Sequence, residues 1–145
     1  MILKYVNDDK GFSFIETLAA LAIMLILTAG VGLASYKIID QARRVSAKNQ
    51  IEIYKTALNA YYLDCGVYPN EAQGIQALFE KPIIAPVSSK WNGPYIDKQV
   101  LPDPWGNEYV YKTLNDYGLP FIISSYGADG VSGGKGNDED INSWK

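Results

Sequence analysis

The sequence predicts an α+β protein in which a long N-terminal helix packs on a small C-terminal antiparallel sheet. Two observations lead to this prediction. The stretch from Phe12 to Tyr62 contains no proline and changes from continuously apolar to amphipathic, which favours one unbroken helix. The chain beyond Tyr62 is rich in turn residues and contains two short segments with the composition of strands, 108–113 and 121–125.

The first half of the predicted helix has the character of a membrane segment. No charged side chain occurs from Thr17 to Tyr36, and a bilayer core requires about 20 such residues in helical form. A secretory signal peptide is the alternative, but its apolar region spans only about 7–15 residues and ends at a small-x-small site. The sequence therefore predicts a polar leader over 1–11 and a retained transmembrane helix over 12–36.

The second half of the helix, residues 37–62, is predicted to be amphipathic. Apolar residues recur here at intervals of three or four positions, with polar residues between them, and such a pattern indicates one buried face. The basic residues of this half are Arg43, Arg44 and Lys48. They are interpreted as a solvated face, or as partners of acids such as Asp40 in a neighbouring copy of the chain, although exposed pairs are individually weak. The predicted buried face consists of Ala47, Ile51, Tyr54, Leu58 and Tyr61.

The remaining residues, 63–145, are predicted to form a small globular α+β module. A short helix is expected over Glu71–Phe79, followed by a proline-rich ordered loop over 82–106. The two strand segments are separated by a turn region and predict an antiparallel hairpin. A module of this size has a thin core, so we expect an additional element that stabilises it.

Composition excludes several classes of function. The chain has no His, which rules out Ser-His-Asp or Cys-His catalysis and His-ligated zinc. Its single cysteine, Cys65, cannot form an internal disulfide, and is interpreted as a small buried apolar residue or, less simply, as a link between chains. A net charge of -3 gives no support to nucleic-acid binding.

The junction between leader and apolar segment, K-G-F-S-F-I-E followed by an uncharged run, resembles the N-terminal signal of type IV pilin-like proteins. The resemblance implies that a prepilin peptidase cleaves between Gly11 and Phe12 and methylates the new N-terminal Phe12. It also implies that Glu16 pairs with the N-terminal amine of a neighbouring subunit during assembly. A carboxylate inside a membrane is costly unless it is paired, whereas a Glu at the membrane interface is the plain alternative.

Four segments of the C-terminal module stand out: Y-P-N-E-A-Q-G-I-Q-A-L (68–78), L-P-D-P-W-G-N-E-Y (101–109), S-Y-G-A-D-G (125–130) and D-I-N-S-W (140–144). With the N-terminal signal, they resemble the major pseudopilins of type II secretion within this superfamily. The resemblance implies a structural, non-enzymatic subunit of a filament that grows from the bacterial inner membrane and drives export of folded proteins across the outer membrane. The implied partners are further copies of the chain, minor pseudopilins, the prepilin peptidase, and an inner-membrane assembly platform with its ATPase.

The resemblance further implies a calcium site in the acidic, glycine-rich C-terminal loop. The family pattern points to the carboxylates of Asp129 and Asp140, less certainly Glu139, and to the backbone carbonyls of Tyr126 and Val131. Oxygen donors at irregular spacing suit Ca²⁺, which accepts about 6–8 oxygen ligands in flexible geometry. From composition alone, a solvated acidic tail is the simpler interpretation.

Two other functions stay open at the level of sequence. One is a type IV or competence pilin acting in adhesion, motility or DNA uptake, although such pilins usually close their C-terminal loop with a disulfide. The other is a monomeric, membrane-anchored periplasmic calcium-binding module.

The membrane topology is a separate question. Counting Lys and Arg on both sides of the apolar run would place the C-terminal module in the cytoplasm. The periplasmic location is taken from the resemblance.

Overall fold

The structure, a computed structural model, describes residues 11–114 and 116–144, without the side chains of residues 30–35. Residues 1–10 of the predicted leader thus lie outside the described part. The elements are a helix α1 (Phe14–Cys65), a 3-10 helix (Ile75–Leu78), strands β1 (Val110–Lys112) and β2 (Ile122–Ser125), a second 3-10 helix (Gly136–Asp138) and strand β3 (Ile141–Asn142). The sheet order is β1-β2-β3, and both pairings are antiparallel.

The chain divides into two compact units, Met1–Ile39 and Asp40–Lys145. The first unit contains the beginning of α1, whose large apolar side chains, such as Leu25 and Ile26, are exposed. In the described residues, no helix combines the length and the apolarity that crossing a membrane would require. The second unit contains the remainder of α1 together with the sheet and its connecting loops.

The amphipathic half of α1 forms the main wall of the core in the second unit. All five residues of the predicted buried face are almost fully inaccessible to solvent, which confirms that prediction. They lie one above another because residues three or four positions apart share one side of an α-helix. The core is completed from the rest of the unit by Ile75, Leu78, Ile96, Tyr109, Phe121 and Ile123.

The C-terminal end of α1 lies three residues beyond the predicted one. The helix continues to Cys65 and stops at Gly66, which has a φ of 76°. The Gly66 N–H donates to the Tyr62 carbonyl at 2.8 Å, so the last turn keeps its hydrogen bond. A left-handed glycine directly after the helix is a common way to end it. The Cys65 side chain is partly buried against the core, as expected for a small apolar residue.

The hairpin is confirmed, but its strands are shorter than predicted. β1 pairs with β2 so that Tyr111 lies opposite Ile123, at the centre of the two predicted segments. The third strand, β3, was not predicted from the sequence. It has only two residues, too few for an alternating pattern to be recognised.

The helix predicted over Glu71–Phe79 is wrong in extent and type. Only Ile75–Leu78 is helical, and it forms a 3-10 turn. Gly74 precedes it with a φ of 61°, a left-handed conformation through which a right-handed helix cannot continue. In the following loop, Trp91 and Tyr95 pack against the core.

Buried tyrosines make up much of this small core. Burial away from water raises the pKa of Tyr61 to about 12, with Cys65 as a further contributor. The pKa of Tyr95 is also raised to about 12, mainly by burial, and its hydroxyl donates to Asp64 at 2.9 Å. The pKa of Tyr109 lies well above its usual value for the same main reason. Tyrosine hydroxyls are neutral at physiological pH in any case, and the raised pKa values extend this neutrality to more alkaline solution.

Candidate functional site

The predicted processing and assembly residues lie at the start of α1. Gly11 and Phe12 are exposed and precede the helix, which begins at Phe14 instead of at the predicted Phe12. The reason for the later start is a local cap, in which the Ser13 N–H donates to the Glu16 carboxylate at 2.8 Å. This is one half of a capping box, S-x-x-E, which satisfies a backbone donor that the helix leaves free. Glu16 thus has a role within its own helix that was not predicted.

The candidate calcium loop, residues 126–140, connects β2 to β3. Because β2 and β3 are antiparallel and Ser125 lies opposite Ile141, the two ends of the loop meet at one end of the sheet. Tyr126 and Asp140, two of the predicted ligands, are the residues next to this pair. The topology therefore brings together ligand positions that are far apart in sequence.

The two aspartates predicted as ligands, Asp129 and Asp140, accept hydrogen bonds from the backbone of the loop. Asp129 Oδ1 accepts the Val131 N–H at 3.0 Å. The Asp140 carboxylate accepts the Gly133 N–H with its two oxygens, at 3.1 and 3.0 Å. Within residues 11–114 and 116–144, no three Asp, Glu, Cys or His side chains form a group that could hold a metal ion. That Asp129 and Asp140 bind one and the same ion therefore stays a prediction.

The donor chemistry of the loop nevertheless fits calcium. The carboxylates of Asp129 and Asp140 and the nearby carbonyls are all hard oxygen donors, the type that Ca²⁺ prefers. Close backbone approach shapes the loop at Gly127, whose φ is 65° and where a Cβ would lie 3.0 Å from the Asn137 carbonyl oxygen. The Ala128 N–H also donates to the Asn137 carbonyl at 3.2 Å, which ties the two arms of the loop together.

Glu139, the less certain predicted ligand, is engaged elsewhere. Its carboxylate lies 3.4 Å from the Arg44 guanidinium. Arg44 also donates to the backbone carbonyls of Gly136 and Glu139, at 2.9 and 3.1 Å. The interpretation of Arg44 as part of a solvated helix face is therefore wrong, because this side chain binds the loop. Nothing in the local sequence signals the contact, since the partners are 92 and 95 positions apart.

A buried aspartate outside the loop was also missed as a functional residue. Asp103 is only 4% exposed, and its Oδ1 accepts the N–H groups of Trp105 and Asn107 at 3.0 and 2.8 Å. Its Oδ2 accepts the hydroxyl of Ser125, at the end of β2, at 2.6 Å. The D-P-W-G-N segment offered a signal, because an Asp followed by Pro and Gly is typical of a turn stabilised by its own side chain.

The same turn supports the candidate calcium loop. The Asn107 side-chain amide donates to the Gly127 carbonyl at 2.9 Å. Asn107 also packs closely on Gly130. A Cβ added to Gly130 would lie 2.9 Å from Asn107 Oδ1. Asp103 fixes the backbone of Asn107, so the loop rests on an organised turn.

Comparison with known proteins assigns the family. Residues 35–144 match the model of type II secretion system (T2SS) protein G, and residues 6–32 match the prokaryotic N-terminal methylation motif. The chain belongs to the type II secretion system protein G family. Members of this family are structural pseudopilin subunits of the secretion machinery, so the interpretation of the chain as a non-enzymatic pseudopilin is confirmed.

Individual relatives agree with membership of the protein G family. The chain is 40% identical over 138 residues to the type II secretion system core protein G of Pseudomonas aeruginosa, covering 95% of this chain and 96% of that protein. It is 35% identical over 144 residues to the core protein G of Vibrio cholerae, covering 98% and 96%. The crystal structure of the major pseudopilin from the type 2 secretion system of enterohaemorrhagic Escherichia coli has a TM-score of 0.62 and 31% identity, over 72% of this chain and 89% of that one.

Proposed function

We propose that the chain is the major subunit of a type II secretion pseudopilus, anchored first in the inner membrane and then drawn into the filament. The observation that carries this proposal is the occurrence of a methylation motif and a protein G module in one chain. Cleavage between Gly11 and Phe12 by a prepilin peptidase would release the mature subunit. The uncharged run Thr17–Tyr36 would hold it in the bilayer until assembly, with the C-terminal module in the periplasm.

Growth of the filament is proposed to require further copies of the chain, minor pseudopilins, and an inner-membrane platform with its ATPase. Each added subunit would push the filament outward and move folded proteins through an outer-membrane channel. Glu16 is proposed to set the register of each new subunit by pairing with the methylated N-terminus of a neighbour. The mature N-terminus provides the cation for this pair, because cleavage at Gly11 exposes the amine of Phe12.

Deletion of the gene for this chain is expected to abolish secretion of exoproteins while surface motility is retained. The physical reason is that a major subunit forms the body of the filament, so nothing else in the machine replaces it. Secreted enzyme activity in the medium and surface spreading would be measured in parallel, with complementation by the full chain as the control. Loss of motility or of DNA uptake with intact secretion would instead identify a type IV or competence pilin.

We further propose that residues 126–140 bind Ca²⁺ through the carboxylates of Asp129 and Asp140 and the backbone carbonyls of Tyr126 and Val131. The oxygen-only donor set and the meeting of the loop ends beside β2 and β3 support this proposal. The ion would stabilise a thin module whose one cysteine, Cys65, is free. The periplasm supplies enough calcium to fill a weak site.

Calcium removal is expected to lower the melting temperature of the wild-type chain, because an ion that binds only the folded state stabilises it by mass action. At about 100 times the dissociation constant the gain is about 2.7 kcal/mol. Thermal unfolding of the full chain in mild detergent would be followed with added calcium and with excess chelator. In Asp129→Ala the difference between the two conditions should largely disappear, whereas Asp97→Ala, an exposed aspartate far from the loop in sequence, should retain it. Equal melting of the wild type in both conditions would refute the calcium site.

A further inference from the structure

Arg44 is the contact by which α1 reaches the candidate calcium loop. It lies within the Asp40–Lys145 unit, on the wall of a groove that helix residues 41–48 form with residues 139–142. One guanidinium nitrogen donates to the carbonyls of Gly136 and Glu139 at 2.9 and 3.1 Å. A second guanidinium nitrogen, Nη2, donates to the Glu139 carboxylate at 3.4 Å. A single side chain therefore holds two backbone groups and one acidic group of the loop.

These contacts lie directly beside a predicted calcium ligand. Glu139 precedes Asp140, so a fixed Glu139 carbonyl restricts the backbone on the N-terminal side of Asp140. The Asp140 carboxylate is meanwhile oriented by the Gly133 N–H. Arg44 also forms an ion pair with the Glu139 carboxylate, which could otherwise bind the ion in place of the proposed ligands. The arrangement favours a loop that is ordered before calcium arrives, with Glu139 kept away from the metal.

We propose that Arg44 is a positioning residue for the calcium loop, and that Glu139 is the ion-pair partner of Arg44 and not a calcium ligand. This inference rests on the calcium binding proposed above. Both the bound ion and the Arg44 contacts require the same ordered loop. Each therefore stabilises the other, as thermodynamic linkage requires. The contact also connects the metal site to the helix that is proposed to pack in the filament.

The geometry favours an arginine over a lysine. A guanidinium presents several N–H groups in a rigid plane and can serve two carbonyls and a carboxylate together, whereas an ammonium is a compact point charge. Lys55 offers a comparison, because its ammonium donates to one backbone carbonyl, that of Ser143 at 3.0 Å, and to the Glu52 carboxylate at 2.9 Å. Lys55 follows Arg44 by about three helical turns and thus lies on the same face of α1.

The test is a calcium titration of the full chain in detergent micelles, first stripped with chelator and then followed by competition with a chromophoric chelator. Arg44→Ala is expected to weaken calcium binding about 5- to 150-fold, the range of a typical coupling between sites. Arg44→Lys should recover part of this loss. The matched control Arg43→Ala removes a neighbouring exposed arginine and should stay within about twofold of the wild type, as expected for an exposed charge.

Two further variants distinguish positioning from ligation. Glu139→Gln removes only a partly exposed ion pair and should change calcium affinity by less than about threefold. Asp140→Asn removes a predicted ligand charge and should weaken binding by at least about tenfold. Amide hydrogen exchange without calcium adds a direct readout, since residues 133–140 should exchange faster in Arg44→Ala than in Arg43→Ala.

Unchanged calcium affinity in Arg44→Ala would overturn the positioning role, and so would a loss in Glu139→Gln as large as that in Asp140→Asn. Failure of the wild-type chain to bind calcium would overturn the calcium site itself, and the Arg44 proposal with it. The wild type is measured before any variant, so these failures are distinguishable. Arg44→Lys and Glu139→Gln change size and polarity little. They therefore test the positioning role of Arg44 and the non-ligand role of Glu139 even if Arg44→Ala folds poorly.

Discussion

Asp103→Ala is expected to lower the free energy of unfolding by about 3 kcal/mol or more, because it leaves one buried hydroxyl and two partly buried backbone N–H groups without their acceptor. The carboxylate accepts the N–H groups of Trp105 and Asn107 and the hydroxyl of Ser125. Hydrogen bonds to a charged group contribute about 1.5–3 kcal/mol each, although losses within one network do not add fully. The effect should be large since Asp103 links the D-P-W-G-N turn to the end of β2.

Urea unfolding of the full chain in mild detergent, followed by tryptophan fluorescence, would measure this loss. Asp103→Asn should fall between Ala and wild type, because an amide oxygen still accepts a backbone N–H and the amide nitrogen can donate to the Ser125 hydroxyl. Asp97→Ala removes an exposed aspartate and serves as the control, with an expected change within about 0.5 kcal/mol. If Asp103→Ala unfolds at the same urea concentration as this control, the network does not stabilise the module as argued.

The fold was predictable where a repeated pattern determines it. The buried stripe of α1 follows a helical period over four turns, so every one of its five members could be identified from spacing. The elements that deviate depend on single residues. Gly74 adopts a left-handed conformation that limits the predicted second helix to a 3-10 turn, and β3 pairs with Ser124 and Ser125 over two residues, too few to show a period.

The site was predictable only in part, and for a physical reason. The processing residues and Glu16 lie in one continuous motif, so they could be proposed from the sequence alone. Arg44 meets the loop across more than 90 positions, and no local pattern encodes a contact of that range. Asp103 carries a turn signal, but its role in supporting β2 and the loop depends on Ser125, whose position beside it is a consequence of folding.

Glu16→Ala is expected to abolish pseudopilus assembly and exoprotein secretion. The proposed pair between this carboxylate and the N-terminal amine of a neighbour lies in a membrane, where water cannot replace the lost partner. Because a hydrogen bond to a charged group contributes about 1.5–3 kcal/mol, each subunit addition should become about tenfold or more less favourable. Assembly would be measured as sheared filaments from cells overproducing the subunit, and secretion as enzyme activity in the medium.

Glu16→Gln separates the two roles that the residue has. The amide oxygen of Gln still accepts the Ser13 N–H and so preserves the helix cap seen at 2.8 Å, but the charge that would attract the amine is gone. We therefore expect Glu16→Gln to fail in assembly as severely as Glu16→Ala, whereas Glu80→Gln, at an exposed site in the second unit, assembles normally. If Glu16→Gln assembles and Glu16→Ala does not, the residue acts through the cap of its own helix. If both assemble, Glu16 lies at the membrane interface and pairs with no neighbour.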